Sequence, residues 1–141
     1  MGEQFSQSVL IEGRDFRNAG KASTEIKHIL KQLGVDAAII RRVAIAAYEA
    51  EMNVVMYARK AQMRLQVTPQ MIQIAVVDEG PGIPDVERAM VEGYSTATIE
   101  MREMGFGAGM GLSNIKKNSD QFVIKSEVGK GTQLEITIHI N

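Results

Sequence analysis

Residues 71–84 read Met-Ile-Gln-Ile-Ala-Val-Val-Asp-Glu-Gly-Pro-Gly-Ile-Pro, a strand pattern that runs into a glycine- and proline-rich turn. Side chains alternate between the two faces of a strand, so Ile72, Ile74 and Val76 lie on one face. Asp78 is the next residue on that same face. A carboxylate that ends an apolar row needs a polar partner, and a bound ligand is one candidate. The alternative is a plain turn in which glycine and proline supply the required dihedral angles.

Four further strands are predicted from alternating or apolar runs. Polar and apolar residues alternate over 63–68, and a tight Pro-Gln connection joins this strand to the next as a hairpin. In the last strand Leu134, Ile136 and Ile138 alternate with polar residues, which predicts one buried face and one solvated face. The predicted strands cover residues 8–12, 63–68, 71–78, 122–127 and 132–140.

Two long helices are predicted between the first two strands. Asp15 can cap a helix that runs to about Leu33, where Gly34 ends it. Asp36 can cap a second helix that runs to about Ala58, because its apolar residues recur at steps of three and four.

A long connection follows the central hairpin. A short helix is predicted over residues 85–91, and another from Gly109 or Gly111 to about Asn118. The segment 92–109 between them is rich in glycine, serine, threonine and charge, and loops of this length are usually functional or mobile.

The order of these elements predicts the fold class. It runs strand, two helices, two strands, loop, helix and two strands. This order favours a two-layer α/β sandwich, with a mixed, mostly antiparallel sheet and helices on one face, over a doubly wound sheet. A length of 141 residues suggests one domain over residues 1–141 with a substantial core.

Composition excludes several classes of function. The formal net charge is −1, so no overall field attracts nucleic acid or an anionic membrane. The absence of cysteine excludes disulfides, thiolate zinc sites and thiol nucleophiles. The N-terminus lacks a signal-peptide pattern, and no apolar run is long enough to span a bilayer. We therefore expect a cytoplasmic protein without nucleic-acid or membrane partners.

A second glycine cluster consists of Gly105, Gly107, Gly109 and Gly111. Its spacing fits neither the P-loop, which needs Gly-Lys-Ser/Thr, nor the Gly-x-Gly-x-x-Gly dinucleotide fingerprint that follows a strand. What remains is a flexible loop that leads into a helix N-terminus, where free N–H groups and the positive end of the dipole can bind phosphates. The alternative is a surface loop without a ligand.

A polar pair lies on the second predicted helix. Glu49 and Asn53 are four residues apart and share a face. Glu51 lies roughly 200° around the helix from Glu49 and should face elsewhere. An Asn oxygen suits Mg²⁺, which takes few protein ligands in phosphate sites, and a Glu one turn away could be a general base. Alternatively, both side chains are ordinary solvated helix residues.

The turn after the central strand could recognise a nucleobase. The carboxylate of Asp78 could accept a hydrogen bond from an exocyclic amine such as adenine N6. Gly80 and Gly82 would let the base approach the backbone closely.

Taken together, these segments resemble the GHKL ATPase superfamily, which includes gyrase, Hsp90, histidine kinases and MutL. The resemblance covers essentially the whole chain and implies a Bergerat-type ATP-binding fold. The segments similar to its N, G1 and G2 boxes and to its Gly-Thr element are Glu49-x-x-x-Asn53, Asp78-x-Gly80-x-Gly82, Gly107-x-Gly109-x-Gly111 and Gly131-Thr132.

Within this superfamily the chain resembles the small bacterial anti-sigma-factor serine/threonine kinases and switch kinases of partner-switching systems. Residues 78–85 and the following Glu-Gly-Tyr-Ser-Thr look like the switch-kinase branch. The long segment 93–109 looks more like the sigma-binding branch. Tyr57 departs from the pattern, since many anti-sigma kinases have His at that position, and the branch stays open.

The resemblance implies transfer of the ATP γ-phosphate, with Mg²⁺, to a serine or threonine of a STAS-domain antagonist. Glu49 would orient or deprotonate the acceptor hydroxyl, Asn53 would hold Mg²⁺ and Asp78 would read adenine, while residues 93–109 would close over the phosphates as a lid. A sigma factor, a phosphatase and a second copy of this chain are left open as further partners. The other residues implied to bind the nucleotide are Gly80, Gly82, Gly105, Gly107, Gly109, Met110, Gly111, Leu112 and Thr132.

Two other functions compete with a kinase. A non-catalytic module could use ATP or ADP only to set the lid conformation and thereby its affinity for a partner protein. The intact Glu49 argues against this. A histidine-kinase ATPase domain is the third function, but neither His28 nor His139 has the sequence setting of a phosphoacceptor.

Overall fold

The computed structural model describes residues 4–91 and 111–140, which form a five-stranded sheet with helices packed against one face. Predictions for the lid, Gly105, Gly107, Gly109 and Met110 lie outside the described residues. The strands are β1 (Phe5–Glu12), β2 (Lys60–Val67), β3 (Met71–Glu79), β4 (Gln121–Glu127) and β5 (Gly131–His139). The helices are α1 (Lys21–Gln32), α2 (Ala37–Tyr57), α3 (Val86–Ala89) and α4 (Gly111–Asn118).

The sheet confirms the predicted two-layer α/β architecture. Its strand order is β1-β2-β3-β5-β4, and every described pairing is antiparallel, so the mixed sheet expected from the sequence is more regular than predicted. The 63–68 and 71–78 hairpin is present as β2 and β3. Because β5 inserts between β3 and β4, the end of β3 lies beside the start of β5, with Val77 opposite Gln133.

One layer of apolar side chains fills the space between sheet and helices. The predicted row Ile72, Ile74 and Val76 is buried, with each residue only 1% exposed. Alanines on α2, among them Ala46 and Ala47, are fully buried and let this helix approach the sheet closely. Each fully buried aliphatic side chain contributes roughly 1.5–3 kcal/mol to stability. In the part of the chain that the structure describes, no helix is both long and apolar enough to cross a membrane.

The region between β1 and α2 differs from the sequence-based expectation. The helix predicted from Asp15 is a short 3-10 turn, Phe16–Asn18, and α1 begins only after Gly20, whose φ of 99° interrupts the helix. The Asp15 carboxylate accepts hydrogen bonds from the Asn18 side-chain amide at 2.8 and 3.0 Å and caps no helix. Leu33, predicted to be in the core, lies after the last helical residue and is 47% exposed.

A distant carboxylate caps α1 instead. Glu51 faces away from Glu49, as helix geometry predicts, but it is buried at 2% exposure. Its Oε2 accepts the N–H groups of Gly20 and Ala22 at 3.0 and 3.2 Å, and its Oε1 accepts that of Ser23 at 2.9 Å. These donors are free at any helix N-terminus and need an acceptor when they are buried. Glu51 therefore joins α2 to α1.

Candidate functional site

A cavity of about 360 Å³ opens between α2, the end of β3 and the start of α4. This volume falls in the usual range for small-ligand sites. Its lining is mostly apolar, and its polar groups come from several elements. Tyr57, the residue that departs from the family pattern, is among them. The lining residues include Ala50, Asn53, Val54, Val76, Asp78, Gly82, Ile83, Gly111, Leu112, Thr132 and Leu134.

Asp78 supplies the carboxylate at the base of this cavity. Its Oδ1 accepts the backbone N–H of Thr132 at 2.9 Å, because β5 starts beside the end of β3. Burial raises the pKa of Asp78, and the hydrogen bond from Thr132 partly offsets this by lowering it. With Oδ1 held by the backbone, Oδ2 can accept a hydrogen bond from a ligand.

A hydroxyl pair supports this carboxylate from behind. The Oγ of Ser126 lies 2.9 Å from the Oγ1 of Thr132 and accepts the backbone N–H of Ile83 at 2.7 Å. Ser126 thus connects the turn after β3 to β4 and β5. The sequence analysis missed Ser126, because a single serine on a strand carries no spacing signal.

Two glycines allow the turn after β3 to pack against the β4–β5 hairpin. A Cβ on Gly131 would lie 2.1 Å from the carbonyl oxygen of Asp78, and one on Gly82 would lie 2.4 Å from that of Glu127. Both also have positive φ, 145° and 77°, which disfavours other residues. Gly82 lines the cavity, but its closest approach is to protein backbone.

Gly80 differs from Gly82 in its position. It is not among the lining residues of the cavity. A Cβ at this position would lie 3.1 Å from the Cα of Ala58 and 3.2 Å from Oδ1 of Asp78. Its small size therefore allows β3 to pass close to the end of α2.

Glu49 and Asn53 occupy successive turns of α2, as predicted. Asn53 lines the cavity, and the start of α4 is so close that a Cβ on Gly111 would lie 3.4 Å from Asn53 Oδ1. Glu49 is not among the lining residues, and its Oε2 accepts a hydrogen bond from Asn114 Nδ2 at 2.7 Å. The sequence analysis missed Asn114, which follows the glycine cluster without a recognisable motif.

The described residues bring most of the predicted site together. Leu112 is buried, at 8% exposure, and together with Thr132 it contributes to the cavity wall. Within residues 4–91 and 111–140, no group of three or more His, Cys, Asp or Glu side chains could hold a metal ion.

Comparison with known proteins adds a family to this geometry. The family model described as Histidine kinase-like ATPase domain matches residues 14–138. The chain is 30% identical over 113 residues to the serine/threonine-protein kinase RsbT of Bacillus subtilis (strain 168), covering 77% of this chain and 79% of RsbT. It is 31% identical over 129 residues to an anti-sigma F factor of Caldanaerobacter subterraneus subsp. tengcongensis, covering 88% and 87% of the two chains.

Among solved structures, the chain is similar to the mycobacterial sensor histidine kinase MprB. The TM-score is 0.53, and the match covers 94% of this chain and 97% of the other. The sequence identity is 18%, so this similarity concerns the fold alone.

Proposed function

The chain belongs to the histidine kinase-like ATPase domain family, and we propose that it is an ATP-dependent protein serine/threonine kinase that also acts as an anti-sigma or switch regulator. Two relatives carry these activities in their names, a serine/threonine-protein kinase and an anti-sigma F factor. Each match covers at least 77% of both chains, so the whole domain is shared.

The observation that supports this proposal best is the placement of Asp78, Asn53 and Glu49. Asp78 lies at one side of an apolar cavity with one carboxylate oxygen available, and Asn53 lies on α2 where the cavity meets α4. Glu49 is one helical turn beyond Asn53. We propose that Asp78 accepts a hydrogen bond from adenine N6, and that the apolar wall covers the faces of the base.

The other end of the nucleotide would lie near Asn53 and the start of α4. Mg²⁺ binds oxygen ligands and in phosphate sites takes one or two protein groups, with phosphate and water completing its shell. The side-chain oxygen of Asn53 fits that role. When bound, Mg²⁺ neutralises charge on the phosphates during transfer. Gly111 is small enough to leave the Asn53 amide uncrowded.

Glu49 would act on the acceptor hydroxyl. In the proposed reaction the hydroxyl oxygen of a serine or threonine forms a bond to the γ-phosphorus, while the bond from that phosphorus to the ADP oxygen breaks. The hydroxyl proton passes to the Glu49 carboxylate. Positioned bases of this kind contribute about 10²- to 10⁴-fold to a rate.

We propose a STAS-domain antagonist as the phosphate acceptor and a sigma factor as a second partner. A phosphatase or a second copy of this chain as partner, and a cytoplasmic location, stay predictions from the sequence. The anti-sigma F factor similarity supports a partner of the sigma-factor class. Because the chain also matches RsbT, the choice between the two branches stays open.

The direct test is phosphoryl transfer to STAS-domain proteins from the source genome. Each is incubated with this protein and Mg-ATP, and its intact mass is measured. Wild type should add one phosphoryl group. Glu49→Gln should bind ATP normally and transfer about 10²- to 10⁴-fold more slowly. Glu12→Gln removes an exposed glutamate from β1 and is the matched control.

Binding measurements separate the two leading functions. Asn53→Ala should weaken ATP binding in the presence of Mg²⁺ more than in its absence, because only the metal-dependent part uses this side chain. If wild type binds Mg-ATP and changes its affinity for the partner, yet phosphorylates none, it is a nucleotide-gated binding module and the kinase proposal fails.

A further inference from the structure

One face of α4 contacts both α2 residues of the proposed transfer site. Gly111 and Asn114 are three residues apart, so they share a side of that helix. Gly111 lies against Asn53, and Asn114 donates to Glu49. The earlier residue of α4 meets the later residue of α2, so the two helices run antiparallel at this contact.

The chemistry of the Asn114–Glu49 hydrogen bond suits orientation. An Asn side chain donates through its NH₂ group, and an ionised carboxylate only accepts. The bond at 2.7 Å therefore holds Oε2 of Glu49, while Oε1 stays available to accept a proton. A Lys or Arg at this position would place a full positive charge beside the base, whereas the amide orients the carboxylate without one.

Asn114 lies on a well-anchored part of α4. Its neighbours Ser113 and Ile115 are buried, at 8% and 0% exposure. The side-chain amide of Asn118 donates to the carbonyl oxygen of Asn114 at 2.8 Å. A donor fixed in this way restricts a long glutamate side chain that would otherwise sample several rotamers.

We propose that Asn114 is a positioning residue for Glu49, and that its side-chain amide aligns the carboxylate with the attacking hydroxyl. This inference rests on the proposed function, in which Glu49 accepts the hydroxyl proton. It assigns to α4 a role in the transfer step that is separate from nucleotide binding.

The test compares Asn114→Ala with Asn118→Ala, which removes the same amide one turn along the same helix. Alanine favours a helix more than asparagine does, so both variants should fold. The transfer rate at saturating Mg-ATP is measured per nucleotide-binding site, with a STAS-domain acceptor and with water as acceptor. Asn114→Ala should be about 10- to 100-fold slower, since small misplacements of reacting groups have effects of that size.

Two further measurements distinguish positioning from general damage. The Kd for Mg-ATP of Asn114→Ala should stay within about twofold of wild type, whereas disruption of the cavity would weaken binding. In a Glu49→Gln background, Asn114→Ala should lower the rate no further, because the group that it aligns is already gone.

The failures of the two proposals can be told apart. If wild type transfers phosphate and Asn114→Ala matches its rate, or if the two losses add fully in the double variant, positioning by Asn114 is wrong. If wild type binds ATP but transfers phosphate to neither protein nor water, the kinase proposal itself fails, and the role of Asn114 fails with it.

Discussion

Glu51→Gln should destabilise this protein without touching its cavity. The two carboxylate oxygens of Glu51 accept three backbone N–H groups at the start of α1, and the side chain is 2% exposed. A glutamine has nearly the same shape but only one oxygen. At least one of the N–H groups therefore loses its acceptor and faces an NH₂ group.

The size of the effect follows from two contributions. A buried donor left unsatisfied costs about 1–3 kcal/mol. Loss of a negative charge at the positive end of α1 removes about 0.3–2 kcal/mol of favourable interaction. We therefore expect a loss of about 2–4 kcal/mol in the free energy of unfolding. For a chain of this length, that lowers Tm by about 6–12 °C.

Urea and thermal unfolding measure this loss directly. Glu25→Gln is the matched control, because Glu25 is exposed and makes a single surface hydrogen bond to Gln7; its effect should stay within about 0.5 kcal/mol. ATP affinity of folded Glu51→Gln should equal that of wild type. A Glu51→Gln protein as stable as wild type would show that Glu51 does not cap α1.

Three further predictions concern the cavity. Asp78→Asn should weaken ATP binding by about 10- to 100-fold in calorimetry, because a charge-assisted acceptor is lost; a wild-type Kd would exclude adenine recognition by this carboxylate. Burial raises the pKa of Asp78, so the native state holds this proton more tightly than the unfolded chain. The free energy of unfolding of wild type relative to Asp78→Asn should therefore fall from about pH 4 to about pH 7, as urea titrations at both values would show, and a rise would contradict the sign. Gly131→Ala should destabilise more than Gly129→Ala in denaturant unfolding. Both residues have positive φ, but only at Gly131 would the new Cβ meet a backbone oxygen, at 2.1 Å; equal losses would mean that φ alone decides.

The regular elements could largely be predicted because their signals are local. The alternation in β3 and β5 and the three- and four-residue steps in α2 are properties of neighbouring residues. Asp36 caps α2 through Ala38, two residues away, as predicted. The same local reasoning failed for Asp15, because it could not include a competing cap from another helix.

The candidate site was predictable where its residues form short motifs. Helix periodicity placed Glu49 and Asn53 on one face and Glu51 on another, and strand periodicity placed Asp78 at the end of the buried row. The resemblance to the GHKL motifs then suggested that these segments meet around one nucleotide. Their roles in binding and transfer stay proposals.

By itself, the sequence determined the strands, the second helix and the order of the motifs, because periodicity and capping act over a few residues. Tertiary structure decided the contacts that join distant segments: Glu51 to α1 across up to 31 positions, Ser126 to Ile83 across 43, and Asn114 to Glu49 across 65. Each of these depends on how two elements pack and on which side chain then fills the contact. No local pattern carries that information, since it exists only once the sheet and its helices have assembled.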